Sequence, residues 1–207
     1  KNLIEKTFPT FSPKEDFPVL DLTDKEIRDV KEVEEYQDIN QAKLNIGFRT
    51  YTRGLDPDYV ALQVLNGMLG GYPHSLLFKN VREKNSLCYY ITSTLDRAKG
   101  AMYIYSGIAP QDYKKALDLT LEQLETIKKG EFTEELLVNT KNAMINDLLE
   151  MNDSPSRILT NDFTSLLYGE VYDVNKRIER IKAVTYQDVV NVAQKITLDT
   201  IFNLTQK

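Results

Sequence analysis

The sequence is poor in the residues that carry metal, redox and covalent chemistry. Its 207 residues include one cysteine, Cys88, and one histidine, His74. A lone cysteine closes no internal disulfide, which fits a reducing compartment and leads to an expected cytoplasmic location. A zinc site draws roughly three or four ligands from Cys, His, Asp and Glu. The helical arrangement H-x-x-E-H needs a second histidine, and His74 is followed only by Ser75, Leu76, Leu77 and Phe78. That arrangement is excluded. A Ser/His or Cys/His nucleophile pair would have to use His74, and nothing around it argues for one. No phosphate loop, dinucleotide fingerprint or serine elbow occurs. Basic residues are in deficit too. The 26 Lys and Arg against 31 Asp and Glu give a net charge of −5, and no basic stripe with interleaved aromatics argues for a nucleic-acid partner. No apolar run approaches the ~20 residues of a membrane span, so no membrane partner is expected, and no signal-peptide pattern is visible. The chain opens on Lys1 and not on Met, and is expected to be a piece of a longer protein.

What is present suffices for a globular interior: 42% of the residues are hydrophobic, enough for one large domain or two subdomains sharing a core. Residues 1–30, with Pro9, Pro13 and Pro18 and the apolar Phe8, Phe11, Phe17 and Leu20, read as a linker or wrapping arm. Residues 31–207 read as one domain. The acidic stretch from Asp21 to Glu35 reads as solvated surface, with a strand over Lys31–Tyr36. Leu44, Ile46 and Phe48 alternate with polar neighbours, as in a half-buried strand. Asp56 as N-cap and Pro57 at the first helical position predict a helix to about Leu69, ended by Gly70 and Gly71. A second helix buries Leu76, Leu77 and Val81 and carries Arg82, Glu83 and Lys84 on its last turn. Two alternating strands follow, Leu87–Leu95 and Ala101–Ile108, joined by a hairpin turn over 96–100. Helices are predicted from Pro110 to Gly130, from Thr133 to about Met151, from Ser154 to Gly169, over 174–182, and from a capping-box variant at Thr185–Asp188; a strand over Thr200–Leu204 closes the chain. The order implies an α+β fold, an antiparallel sheet with helices packed on one face.

Arg82 and Tyr89 put a cation and a phenol at one helix-to-strand junction, a common place for working side chains and also for ordinary ones. A guanidinium keeps its charge and a phenol is a rigid donor, so the two can hold a peptide carbonyl or a tetrahedral oxyanion. The ordinary alternative is an arginine paired with a carboxylate and a tyrosine packed on the sheet. Strand alternation turns Tyr90 away from Tyr89, which would put one of them in the core. Cys88, facing opposite to Leu87 and Tyr89, reads as a small apolar filler. His74 reads as a surface or turn histidine, and Tyr72 as a weaker candidate. Gly70 and Gly71 read as structural.

The run Arg82-Glu83-Lys84-Asn85-Ser86-Leu87-Cys88-Tyr89, preceded by Leu69-Gly70-Gly71, resembles the R-E-K-x-x-L-x-Y text of the second, non-metal-binding halves of pitrilysin-type zinc metallopeptidases, the insulinase and mitochondrial-processing-peptidase-like enzymes. The text V-T-x-x-D-V-x-x-V-A-x-K at 184–195 resembles their closing helix, and the likeness runs from about Gln41 to Lys207. The resemblance implies a LuxS/processing-peptidase-like half-domain with a second copy of the fold upstream. It implies no catalytic residue, metal or cofactor in this chain, and zinc in an N-terminal half or partner subunit. It also implies a peptide substrate enclosed between the halves or added to an exposed strand edge, and substrate binding by Arg82 and Tyr89. A dimer is one further arrangement. The alternatives are an inactive scaffold or partner subunit of a peptidase-like complex, and an unrelated ligand-binding α+β domain.

Overall fold

A strand that alternates apolar and polar residues buries one face only, and β2 (Ala42–Arg49) does so without exception along its length. In the computed structural model, which describes residues 6, 29–151, 153–167, 169 and 173–207, β2 is the middle of a five-stranded sheet. The others are β1 (Lys31–Gln37), β3 (Cys88–Asp96), β4 (Ala101–Ile108) and β5 (Thr197–Gln206), in the order β1-β5-β2-β4-β3. The arm expected over 1–30 lies almost wholly outside the described residues. β5, β2, β4 and β3 run antiparallel as expected, but β1 joins β5 in parallel, Lys31 opposite Thr200 and Gln37 opposite Gln206. Alternation sets which face a side chain takes and says nothing of a partner's direction. No short turn links β1 to β5, so nothing local forces them antiparallel.

The core lies on one side of this sheet. Leu44, Ile46 and Phe48 of β2, Met102, Ile104 and Ile108 of β4 and Ile201 of β5 are buried beneath helices α1 (Tyr59–Asn66), α2 (Tyr113–Lys128) and α6 (Tyr186–Lys195). The helix α2 faces the core with Ala116, Thr120, Leu124 and Ile127, one stripe at helical spacing. Outside these run α3 (Glu134–Met151), α4 (Pro155–Leu167) and α5 (Val174–Ala183). The Thr133 hydroxyl accepts a hydrogen bond from Leu136 N at 3.1 Å, as its capping role requires. At Thr185 the full capping box forms: its hydroxyl accepts from Asp188 N, and the Asp188 carboxylate accepts from Thr185 N at 2.9 Å. The Thr185 hydroxyl, donating to the Asp188 carboxylate at 2.7 Å, and after it the Thr185 N–H hold Asp188 below the usual carboxylate range. On α4, however, Leu159, Phe163 and Leu166 form an apolar face that the described residues leave exposed.

Two local expectations fail for identifiable reasons. The first helix begins at Tyr59 and not at Pro57, because the Asp56 carboxylate turns back to accept from Arg53 N at 2.6 Å and closes a turn instead of a cap. The helix also does not stop at a left-handed glycine. It widens into a π-helical turn over Gly67–Gly71 and ends on extended Tyr72. A second π-helical stretch, Leu77–Lys84, carries the next buried face, Leu77 and Val81. No helix among the described residues is long and apolar enough to cross a membrane.

Candidate functional site

The junction between the second π-helical stretch and β3 is built by one residue in an unusual conformation. Ser86 has φ +51°, a left-handed backbone, and it reverses the chain so that Ser86 N bonds to Arg82 O at 3.1 Å and Leu87 N to Val81 O at 3.0 Å. Asn85 closes the turn from outside, its amide donating to Asn80 O at 2.8 Å. The turn sets Arg82 and Tyr89 on either flank of the same loop. The Arg82 guanidinium is exposed and stands over the Phe78 ring at 4.6 Å. Among the described residues it has no ion-pair partner. Tyr89 is 66% exposed and its hydroxyl has no hydrogen-bond partner among them. The structure thus shows neither the paired arginine nor the packed tyrosine of the ordinary alternative. Arg82 is near enough to Cys88 for its charge to draw down the thiol's pKa, an effect outweighed by burial, which lifts that pKa to about 11. Cys88 is a buried thiol, as expected.

The two tyrosines do not divide between core and solvent. Tyr90 is 40% exposed, beside the still more exposed Tyr89. The register explains it: Cys88 pairs with Ile108 and Tyr90 with the adjacent Gly107, so Tyr89 is the extra residue of a β-bulge and alternation breaks there. Leu87, in the turn before the strand, and Cys88, at its first position, are both buried. Tyr90 lies flat across Gly107, where a Cβ would come within 2.5 Å of its ring, and Lys43 Nζ sits 5.3 Å from the ring centroid. Tyr105 and a stacked Tyr103, 6.1 Å apart, lie further along this open sheet face.

Further along β3 is a cluster that the sequence did not disclose. His74 is not a free surface histidine. It is half-buried, stacks on Tyr72 at 5.3 Å and shares a 3.0 Å hydrogen bond with Thr140 of α3. Burial, with Lys79 adding to it, holds its pKa below the usual value. Tyr72 donates to Asp147 Oδ2 at 2.6 Å, and burial followed by that bond raises its pKa well above the usual phenol value. Tyr72 and Asp147, but not His74 or Thr140, wall a cleft of about 320 Å3 with Tyr59, Gln63, Asn66, Gly67 and Met144. Only the spacing of Tyr72 and His74 is local; the partners come from α3, some seventy residues away, and no short-range signal could have joined them. The glycines fit tightly here: a Cβ on Gly67 would meet Thr140 at 2.6 Å, and one on Gly70 would meet Leu77 and Ser93 at 2.8 Å. Among the described residues no three of His, Cys, Asp and Glu gather as a metal site.

The comparisons with known proteins agree with this fold. Residues 1–144 match the family model described as the peptidase M16 inactive domain. A Bacillus subtilis protein described as the probable inactive metalloprotease YmfF is 37% identical over 174 residues, which are 84% of this chain and 41% of that protein. The structure of a conserved protein from Enterococcus faecalis superposes with a TM-score of 0.83 at 34% identity, covering 88% of this chain and 44% of that one. The peptidase M16 inactive domain from Pseudomonas fluorescens superposes at 0.74 with 18% identity, over 86% of this chain and 44% of that one, and supports the fold alone. The chain spans less than half the length of these three proteins.

Proposed function

The chain belongs to the peptidase M16 family as its inactive domain, and from that premise we propose that it is the non-catalytic, substrate-holding half of a two-part zinc peptidase. A zinc-bearing half, on the same polypeptide or in a partner subunit, supplies the hydrolytic centre. This half closes the chamber over the peptide and presents Arg82 and Tyr89 to it. The observation that carries the reading is that both side chains stand on one exposed junction, and that among the described residues Arg82 has no ion-pair partner and the Tyr89 hydroxyl no hydrogen-bond partner. A fixed cation and a fixed O–H donor beside a polarised carbonyl stabilise charge that develops in the tetrahedral state, where such donors act most strongly. The bulge at Tyr89 is a common device for re-aiming a side chain next to a working site. The lone buried cysteine fits a cytoplasmic setting.

A second reading is favoured by the description of the Bacillus relative as a probable inactive metalloprotease: a scaffold half that assembles but never cleaves. The two separate in a peptide-cleavage assay on the assembled two-half protein. Loss of turnover in Arg82→Ala and Tyr89→Phe, with assembly intact, supports the substrate-holding role. Normal turnover in both variants, or no turnover in any assembled form, leaves the scaffold.

A further inference from the structure

Gln123 is an amide buried on a helix face otherwise built for packing. It is 5% exposed on α2, beside Thr120, Leu124 and Ile127. Burying an amide costs free energy unless its polar ends are bonded, and here both ends are. Gln123 Nε2 donates to Leu119 O one turn back at 3.1 Å, and Gln123 Oε1 accepts from Asn80 Nδ2 at 2.5 Å. Asn80 lies in the second π-helical stretch and is held at its carbonyl too, which accepts from Asn85 Nδ2 at 2.8 Å. Asn85 stands between Lys84 and the left-handed Ser86. Three amide side chains therefore run in series from the interior of α2 to the turn that carries Arg82 and Tyr89.

We propose that Gln123 is a positioning residue for the Arg82–Tyr89 junction, acting through Asn80 and Asn85. The link to a substrate rests on the two-half reading above; the relay itself rests on the hydrogen bonds alone. The turn needs a hold from outside. Its backbone bonds, Ser86 N to Arg82 O and Leu87 N to Val81 O, each reach one residue further back than the paired bonds of a Schellman stop. It also closes through a residue that carries a side chain at φ +51°, a backbone state that persists where the surroundings over-determine it. A leucine at 123 would fill similar space and bond nothing. What the amide adds is orientation: Asn80 is tied to α2 and Asn85 to Asn80, so the guanidinium over Phe78 and the Tyr89 phenol keep their places on the two flanks. Donors stabilise a developing charge best when they are held in place before it forms, so the relay acts on turnover more than on ground-state binding. Asn85 also lines an open cleft with Lys114 and Asp118, whereas the buried Gln123 stands behind the turn, and it is Gln123 that separates positioning from direct contact.

The test is peptide cleavage by the assembled two-half protein, with kcat and KM read separately, in Gln123→Leu and Asn85→Ala. Each is made in wild type and in the Arg82→Ala/Tyr89→Phe background. In wild type both are expected to lower kcat about five-fold with KM within about two-fold. In the double-variant background neither is expected to have a further effect, because residues that act through one group are not additive. A side chain that only stabilises the fold lowers activity by the same factor in both backgrounds; that result overturns the proposal, as does an unchanged kcat in either variant. Where Gln123→Leu does not fold, Asn80→Ala breaks the same bond from the other side and keeps Asn80 O for Asn85, and the same loss is expected of it. The place of Arg82 is also read without turnover, by nuclear magnetic resonance. Its Nε–Hε signal, displaced by the Phe78 ring, is expected to move in Gln123→Leu and in Asn85→Ala, and an unmoved signal in either overturns the relay. The two readings fail separately. Normal cleavage by the Arg82→Ala/Tyr89→Phe protein sinks the substrate-holding role and leaves the relay to be decided by the resonance measurement. Lost cleavage there, with unchanged kcat in Gln123→Leu and Asn85→Ala, sinks the relay alone.

Discussion

Adjacent glycines at 70 and 71 invite a comparison whose outcome the packing fixes in advance. A Cβ on Gly70 would stand 2.8 Å from Leu77 Cδ1, 2.8 Å from Ser93 Oγ and 2.9 Å from Ser93 N. Leu77 is fully buried and Ser93 N is strand backbone, so neither gives way at small cost. Overpacking of this kind costs about 1–3 kcal/mol. Alanine recovers part of that, about 0.5–1 kcal/mol, because Gly70 has an ordinary backbone and its replacement restricts the unfolded chain. Because neither neighbour yields, the cost falls in the upper half of that range, about 2–3 kcal/mol; the net loss is about 1–2.5 kcal/mol, and at roughly 2–4 °C per kcal/mol for a protein of this size the melting temperature should fall by roughly 2–10 °C. On Gly71 the nearest atoms are Asn66 O at 3.2 Å and Asn66 Nδ2 at 3.4 Å, so Gly71→Ala should move stability by less than about 1 kcal/mol. Thermal unfolding followed by circular dichroism reads both. A Gly70→Ala protein as stable as wild type, or more stable than Gly71→Ala, would refute the claim that the turn is glycine because β3 approaches it so closely.

Two further outcomes follow from single groups. Burial favours the neutral Cys88 thiol, so its folded pKa of about 11 lies above the ordinary value of 9.0. Its contribution to stability is therefore complete below pH 9 and lost as the pH rises towards 11, and denaturant titrations across that range should show a decline that Cys88→Ala removes; an identical decline in the variant contradicts the burial argument. Ser86 is held at φ +51°, where a side chain strains the backbone and glycine does not, so Ser86→Gly should raise stability by about 0.5–1 kcal/mol in urea unfolding, and a loss would show that the Ser86 side chain matters more than its backbone.

Much of this architecture was legible because it is local. The alternation of Leu44, Ile46 and Phe48 gave β2, the Ala101–Ile108 strand was read to the residue, and the Thr185–Asp188 box gave the start of the last helix. What the sequence hid depends on distant parts of the chain. The direction of β1 is decided by β5, at the opposite end of the chain. The bulge that leaves both Tyr89 and Tyr90 exposed depends on Ile108 and Gly107 being adjacent in the partner strand. The Asp56 carboxylate was competent to cap a helix and was captured by Arg53 N instead. The Tyr72–Asp147 and His74–Thr140 pairs exist because α3 packs across the glycine turn, a contact between segments some seventy residues apart. Arg82 and Tyr89 stand out through the family resemblance of the run that holds them, whereas the Phe78 ring beneath Arg82 and the lack of a hydrogen-bond partner for Tyr89 among the described residues depend on the fold.

The central claim is that this half works on the substrate although no metal-binding cluster forms among its described residues. The most direct measurement is kcat/KM for peptide cleavage by the assembled two-half protein, in wild type, Arg82→Ala, Tyr89→Phe and the double variant, with assembly checked by sedimentation. Donors that act on the transition state lose about ten-fold or more in kcat/KM when removed singly, and two that act on one group lose less together than the product of the single effects. That pattern is the expected result. Four proteins with kcat/KM within about two-fold of one another would contradict the account and leave the domain a scaffold.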